Sequence, residues 1–367
     1  MKRIVVKVGS SSLTERNGNL CEHKMKEIIR QITYLRQQGI EVILVSSGAV
    51  AAGLGQLGLN PGCITVPEKQ AAAAVGQGAL IDTYQKYFQQ QGISVAQLLL
   101  TRLDLEDRKR FIHIRNTLET LLKKGVIPIV NENDTVAVEE IRVGDNDTLS
   151  SLVAIVAEAN LLVMLTDIDG LYTEDPRKDP RAKKIDEVRS ITQELEKIAG
   201  DPGSVVGTGG MRTKLIAAKI AVRSGIEVVI ASSTEPEVLK KILRGEKAGT
   251  HFFPQSRMPS KKSWLAFSTR AEGRIIVDGG AKEALLRRNG SLLLGGVMDV
   301  RGHFLEGAIV EISDSSGRSI GKGMSSYSSA DLHLLLERKA WDSRHGKIHE
   351  VIHRDMMVIM EEEEKVL

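Results

Sequence analysis

The chain of 367 residues is short of several things at once, and each shortage removes a class of function. Its two cysteines, Cys21 and Cys63, stand in no metal-ligand or redox spacing, so neither a disulfide framework nor a thiolate metal site organises it. The eight histidines form no ligand pattern, which argues against a zinc centre. An excess of one charge is also absent: 50 Lys and Arg face 47 Asp and Glu, a net charge of +3. With aromatics at 4%, composition offers no basic, aromatic-lined footprint for a nucleic acid. Long apolar runs are missing as well. Residues 42–67 carry no charge but are full of Gly, Ser, Gln and Pro, whereas a membrane span needs about 20 mostly apolar residues. The opening MKRIVVKVGSSSL lacks the apolar length and the small-residue cleavage site of a secretion signal, and a soluble, cytoplasmic chain is the expectation. Neither G-x-S-x-G nor a Cys–His pair supports covalent hydrolase chemistry.

What the chain does have is alternation. Short apolar runs rich in β-branched residues fall at 3–8, 41–45, 126–130, 161–165 and 227–230, with helical spacing between them at 22–37, 67–90, 111–123, 148–158 and 211–223. Strand and helix in turn predict an α/β fold with a mostly parallel central sheet and helices on both faces. In such sheets ligands bind beyond the carboxyl ends of the strands. The residues found there are polar or glycine: Lys7-Val8-Gly9, Ser46-Ser47-Gly48, Asn131-Glu132-Asn133-Asp134, Gly144-Asp145-Asn146-Asp147 and Thr166-Asp167.

The stretch GTGGMRTK at 207–214 opens the last of these helices. Its glycines come too early, and its lysine too late, for the Walker pattern. A glycine turn still lets backbone N–H groups face an anion, and the helix that follows aims its own amides the same way. Lys214, one turn in, can then reach a terminal phosphate, with Lys7 approaching from the first strand. Two lysines on a transferring phosphoryl group neutralise its equatorial oxygens. Taken singly, each lysine reads more readily as a surface residue, at a strand end and on a helix. Asp134, Asn146 and Asp147 are short, loop-borne side chains able to accept from an ammonium group or hold Mg²⁺, and Asp147 also reads as the N-cap of a helix beginning at Thr148.

Beyond residue 253 the texture changes. Residues 254–272 are polar and basic and read as a linker, and after them come short β-like runs at 274–277, 307–312 and 319–322 with a helix at 281–288. A small β-rich domain at 273–356 is expected there, ahead of an acidic tail.

The segments VVKVGSSSLT, VSSGAVAAG, IVNENDTVAV, VGDNDTLS, LTDIDGLYTEDPR and GTGGMRTK stand in an order and spacing that resemble the amino-acid kinase family over residues 1–253. EGRIIVDGGAKEALLRRNGSLL, followed by GHFLEGAIVEI, resembles a PUA domain, although Ala308 stands where such domains often carry an acidic residue. The first resemblance implies ATP-dependent phosphorylation of the γ-carboxylate of L-glutamate, with Mg²⁺, as the first step of proline synthesis. It assigns Lys7, Lys214 and Asp147 to catalysis and Ser47, Asp134 and Asn146 to glutamate. Lys7, Thr166, Asp167, Thr208, Gly209, Gly210, Met211, Arg212, Thr213 and Lys214 fall to the nucleotide. It further implies a homo-oligomer and feedback inhibition by proline. The alternatives are family members acting on N-acetylglutamate, aspartate, carbamate or UMP, or an RNA-binding protein working through the PUA-like region.

Overall fold

The computed structural model describes residues 2–15, 18–60, 62, 64–136, 146–174, 176, 179, 181–198, 210–254, 258–288, 290–337 and 350–360. The chain divides into two compact units, Met1–Arg257 and Met258–Leu367.

In the first unit the chain order begins β1 (Arg3–Val8), α1 (Glu22–Gln37), β2 (Glu41–Ser46), α2 (Ala49–Leu57), α3 (Val66–Gln89) and β3 (Val95–Leu100). It continues with α4 (Arg102–Glu106), α5 (Arg108–Lys123), β4 (Ile127–Glu132), α6 (Asn146–Val156) and β5 (Leu161–Thr166). Three two-residue strands follow, β6 (Leu171–Tyr172), β7 (Lys184–Ile185) and β8 (Glu187–Val188). The unit closes with α7 (Gln193–Ile198), α8 (Met211–Arg223), β9 (Glu227–Ser232), α9 (Val238–Leu243) and β10 (Thr250–Phe252).

The large sheet runs β3-β4-β2-β1-β5-β9-β10-β8, parallel throughout from β3 to β9. Such strands are buried on both faces and need continuous apolar runs, which RIVVKV, EVILVS and LLVMLT supply. On one face α1 presents Met25, Ile28, Ile29, Ile32 and Leu35 at helical spacing, and these pack with Ile4, Val6 and Val8 of β1 and with Leu80, Tyr84 and Phe88 of α3. On the other face α6 lies against β1 and β5, with α8 beside it. Chain order leads from β1 outward to β2 and later returns to β5 on the opposite side of β1, so the fold reverses direction at β1/β5. That is where an open α/β sheet leaves a crevice for ligand.

Two elements of this unit are absent from the sequence reading. Helix α2 follows Gly48, whose φ of 103° only glycine adopts without strain. It packs so closely on α3 that a Cβ at Gly76 would collide with the Ala49 carbonyl oxygen. Strand β3 forms the half-exposed edge of the sheet.

The second unit holds α10 (Ser260–Ser263), β11 (Gly273–Val277), α11 (Gly279–Arg287), β12 (Leu292–Leu293), β13 (Val297–Arg301) and β14 (Ile309–Asp314). After these come β15 (Ser319–Met324), α12 (Ser329–Glu337), β16 (Glu350–Ile352) and β17 (Met357–Ile359). Five strands form a mixed sheet, β13-β11-β14-β15-β17, over a core that includes Ile275, Val277, Val310, Ile312 and Leu332. Part of the stretch expected to be a linker is folded into this unit. Trp264, Leu265 and Ala266 are buried in a helical turn, and Lys322 Nζ donates to the Ala266 and Thr269 carbonyls.

Candidate active site

Three charged side chains meet at the carboxyl end of β1. Lys7, in the last turn of the pleat before Gly9, places Nζ 2.5 Å from Asp147 Oδ1. Lys214, in the first turn of α8, places its own Nζ 3.1 Å from Asp147 Oδ2. The Thr213 hydroxyl lies 2.7 Å from that same oxygen and 2.8 Å from the Gly210 carbonyl, bracing the start of α8 against the carboxylate. All three charged residues are buried, Lys7 and Lys214 at 3% and 6% exposure and Asp147 at 0%. Burial alone would raise the Asp147 pKa, but the flanking ammonium groups outweigh it and hold the carboxyl at about 2. The aspartate is therefore ionised throughout the physiological range. Two buried ammonium groups converging on one carboxylate put a concentration of positive charge in a low-dielectric setting, which attracts an anion.

The strand-to-helix geometry explains how these groups converge. Helix α6 begins at Asn146, so Asp147 sits inside its first turn rather than capping it, and the expected N-cap at a helix starting from Thr148 does not occur. Its carboxylate turns toward lysines 140 and 67 residues away in sequence (147 − 7 and 214 − 147), because α6 and α8 pack side by side. Ser151 Oγ donates to the Ala217 carbonyl across that helix pair. The loop after β1 is tied down separately, with Lys24 Nζ donating to the Ser11 and Thr14 carbonyls and Gly9 N–H to the Leu165 carbonyl.

Beside this charged centre lies a group of uncharged amides. Asn146 Nδ2 donates to Ser47 Oγ at 3.1 Å and to Asn131 Oδ1 at 3.0 Å. Asn131 Nδ2 donates in turn to Gln77 Oε1 at 2.8 Å. Asn146 Oδ1 is buried and has no hydrogen-bond partner among the described residues, an expensive condition unless a ligand donor completes it. Asp134 lies three residues beyond Asn131, and burial raises its pKa against the opposing influence of Lys69. A desolvated carboxylate of this kind is suited to receive a cationic group.

Thr166 and Asp167 end β5, next to β1 on the same edge, and the Thr166 hydroxyl donates to Asp167 Oδ1 at 3.0 Å. Among the described residues they make no side-chain contact with Lys7, Asp147 or Lys214. Gly210 and Met211 lead into α8, and Arg212 is exposed there. Thr208 and Gly209 lie outside the described residues, as do Gly144 and Asp145. No group of three or more His, Cys, Asp or Glu able to hold a metal occurs among the described residues. No described helix is long and apolar enough to cross a membrane.

The amino acid kinase family model matches residues 2–232, and the PUA domain model matches residues 273–347. The chain belongs to the amino acid kinase family. It is 49% identical over 366 residues to a glutamate 5-kinase of Carboxydothermus hydrogenoformans, covering 98% of each chain. It is 48% identical over 368 residues to a glutamate 5-kinase of Caldanaerobacter subterraneus, covering 99% of each. A glutamate 5-kinase of Moorella thermoacetica is 47% identical, with 98% of this chain and 96% of that one covered. Among solved structures, a carbamate kinase from Giardia lamblia bound to AMP-PNP superposes with a TM-score of 0.50 at 19% identity, over 69% of this chain and 99% of that one. That likeness establishes the amino acid kinase fold of the first unit.

Within this family member, the structure brings Lys7, Asp147 and Lys214 into one contact group and Ser47 and Asn146 into another. Gln77 was not singled out from the sequence. Its only signal is one uncharged polar side chain in the small-residue run AAAAVGQGAL of α3, where burial cannot be read off a weak helical pattern.

Proposed function

We propose that this chain transfers the γ-phosphoryl group of ATP to the γ-carboxylate of L-glutamate, giving L-glutamyl 5-phosphate and ADP, the entry step of proline synthesis. The chemistry rests on one observation, the two buried ammonium groups of Lys7 and Lys214 held together by Asp147. The choice of substrate rests on full-length identity to proteins named glutamate 5-kinase.

A γ-carboxylate oxygen attacks the γ-phosphorus, the bond from that phosphorus to the β,γ-bridging oxygen breaks, and ADP leaves with the electron pair. No proton moves, because the nucleophile is already an anion. Asp147 is consequently not needed as a base, and its depressed pKa disqualifies it as one. Its work is to hold Lys7 and Lys214 apart at fixed positions, where they neutralise charge on the equatorial oxygens of the transferring group. Gly210 and the start of α8 at Met211, Arg212 and Thr213 receive the phosphates on backbone N–H groups, with Thr208, Gly209, Thr166 and Asp167 assigned to the nucleotide from the sequence. Ser47, Asn146 and Asp134 take the amino-acid head, Asp134 pairing with its ammonium. Mg²⁺ would enter as a companion of the ATP phosphates, since the described residues hold no group of three or more His, Cys, Asp or Glu.

Proline shares the α-amino-acid head, so we assign it to the same side of the site as an inhibitor relieved by excess glutamate. Assembly as a homo-oligomer and a cytoplasmic location belong to the same reading. The test is hydroxylamine trapping of the acyl phosphate from ATP, Mg²⁺ and each candidate acid. Glutamate should exceed aspartate and N-acetylglutamate by at least tenfold or so in kcat/KM. Faster hydroxamate formation from either competitor overturns the assignment.

A further inference from the structure

The amide group beside the charged centre has a direction, and its direction is set far from the ligand. The Glu132 backbone N–H can only donate, and it donates to Asn131 Oδ1 at 2.9 Å. That fixes which end of the Asn131 amide is oxygen. Asn146 approaches the same oxygen at 3.0 Å and must present its NH₂, leaving its own Oδ1 turned away, buried and unpartnered among the described residues. Asn131 Nδ2 must then find an acceptor on its far side, and Gln77 Oε1 is that acceptor at 2.8 Å. Gln77 and Asn131 are 9% and 2% exposed, so water is no ready substitute at either end. Gln77 reaches this point because α3 lies against α2 at Gly76, where any side chain would meet the Ala49 carbonyl.

We propose that Gln77 is a positioning residue for the phosphorylation reaction: it locks the Asn131 amide, and through it turns the Asn146 carbonyl oxygen toward the α-ammonium of the amino-acid substrate. The inference rests on the glutamate reading above and deepens it. An acceptor at Gln77 keeps every amide in the relay in one sense. With the acceptor gone, Asn131 Nδ2 is buried and unsatisfied, and its need for another acceptor opposes the hold of the Glu132 N–H on the orientation of both asparagines. A reversed Asn146 would aim NH₂ at an ammonium group, and the preference for a substrate carrying that group would fall.

Gln77→Met removes the acceptor at similar volume, and Gln77→Glu keeps an acceptor in place. Glutarate is glutamate without the ammonium group, so the kcat/KM ratio of glutamate to glutarate reads the orientation of Asn146 directly. In hydroxamate assays at pH 8, Gln77→Met should raise KM for glutamate roughly tenfold and lower that ratio to a similar extent. KM for ATP should stay unchanged, and Gln77→Glu should keep the ratio within about threefold of the parent chain. A folded Gln77→Met with the parent ratio overturns the proposal, and so does equal loss of the ratio in both variants. If Gln77→Met does not melt cooperatively, Gln77→Glu decides alone, because loss of the ratio in an acceptor-bearing variant contradicts the relay. Failure of the parent chain to use glutamate would instead sink the substrate assignment.

Discussion

Asp147 in the first unit and Asp314 in the second are both buried carboxylates held below the ordinary range, yet their partners arrive from different distances along the chain. Asp314 takes its uncharged donors from its own hairpin and its cation from α11, 32 residues earlier in the chain. Lys282 Nζ lies 2.6 Å from Oδ2, while Ser316 Oγ and the Ser316 and Arg318 backbone N–H groups donate to Oδ1. Its pKa is lowered first by the Lys282 contact and then by Ser316, with one cation for one anion. Asp147 draws on Lys7, Thr213 and Lys214, which only the packing of α6 against β1 and α8 brings near, and it faces two cations. A depressed carboxylate therefore does not mark a functional site by itself. What sets Asp147 apart is that the folded protein bears the desolvation of two lysines brought to one carboxylate from separate elements.

The largest effect that can break this contrast is at Asp147. In Asp147→Asn, Lys7 and Lys214 stay buried and lose the carboxylate that both contact. Stability should drop by roughly 3–5 kcal/mol, read from urea melts at pH 7, together with loss of turnover. The sign in acid follows from the depressed pKa. The carboxylate's contribution is full above its ordinary value of 3.8 and is lost as pH falls toward its folded value of about 2. The parent chain should weaken across that window more steeply than Asp147→Asn. Superimposable melts of the two chains would remove the structural half of the contrast.

Asp134 sharpens it from the other side, as a carboxylate proposed for binding whose charge burial disfavours. Burial raises its pKa, so at neutral pH its charge opposes folding, and Asp134→Asn should melt at the same temperature or higher. The same variant should raise KM for glutamate about tenfold, by loss of a charged hydrogen bond, with KM for ATP unchanged. A change confined to the ATP constant would move Asp134 to the nucleotide side. The smallest effect is expected at Asp314, where Asp314→Asn should lower Tm modestly and leave kcat and both KM values as they are. Any selective effect on kcat would give this turn a part in the chemistry.

The sequence reading matched the catalytic unit where physics is local. Helices α1 and α8 lie at the residues their apolar spacing marks, and β1 does the same, because a strand buried on both faces writes itself as an unbroken apolar run. Helix α2 was missed because AVAAGLGQL carries two glycines and no charge, which lowers its helical signal although close packing on α3 requires small residues. Strand β3, on the half-exposed sheet edge, was missed because VAQLLL neither alternates nor carries a β-branched run. At the site, the residue types were readable and their burial was not. Lys7 and Lys214 read singly as surface lysines, and only β1, α6 and α8 meeting at one edge makes them interior. Asp147 read as an N-cap because the helix was taken to start at Thr148, two residues after its start at Asn146. The Gln77–Asn131 contact joins residues 54 apart and leaves no trace in any window along the chain.

The central claim is that the buried lysines act on the transferring phosphoryl group, and the direct measurement is kcat for glutamyl hydroxamate formation by Lys7→Met and Lys214→Met. Each variant retains one lysine for Asp147 and should melt cooperatively. The expected result is a fall in kcat of about a hundredfold or more in both, with KM for glutamate shifted far less, as befits groups that bind the transition state more strongly than the substrate. Near-normal kcat in either folded variant would contradict the account.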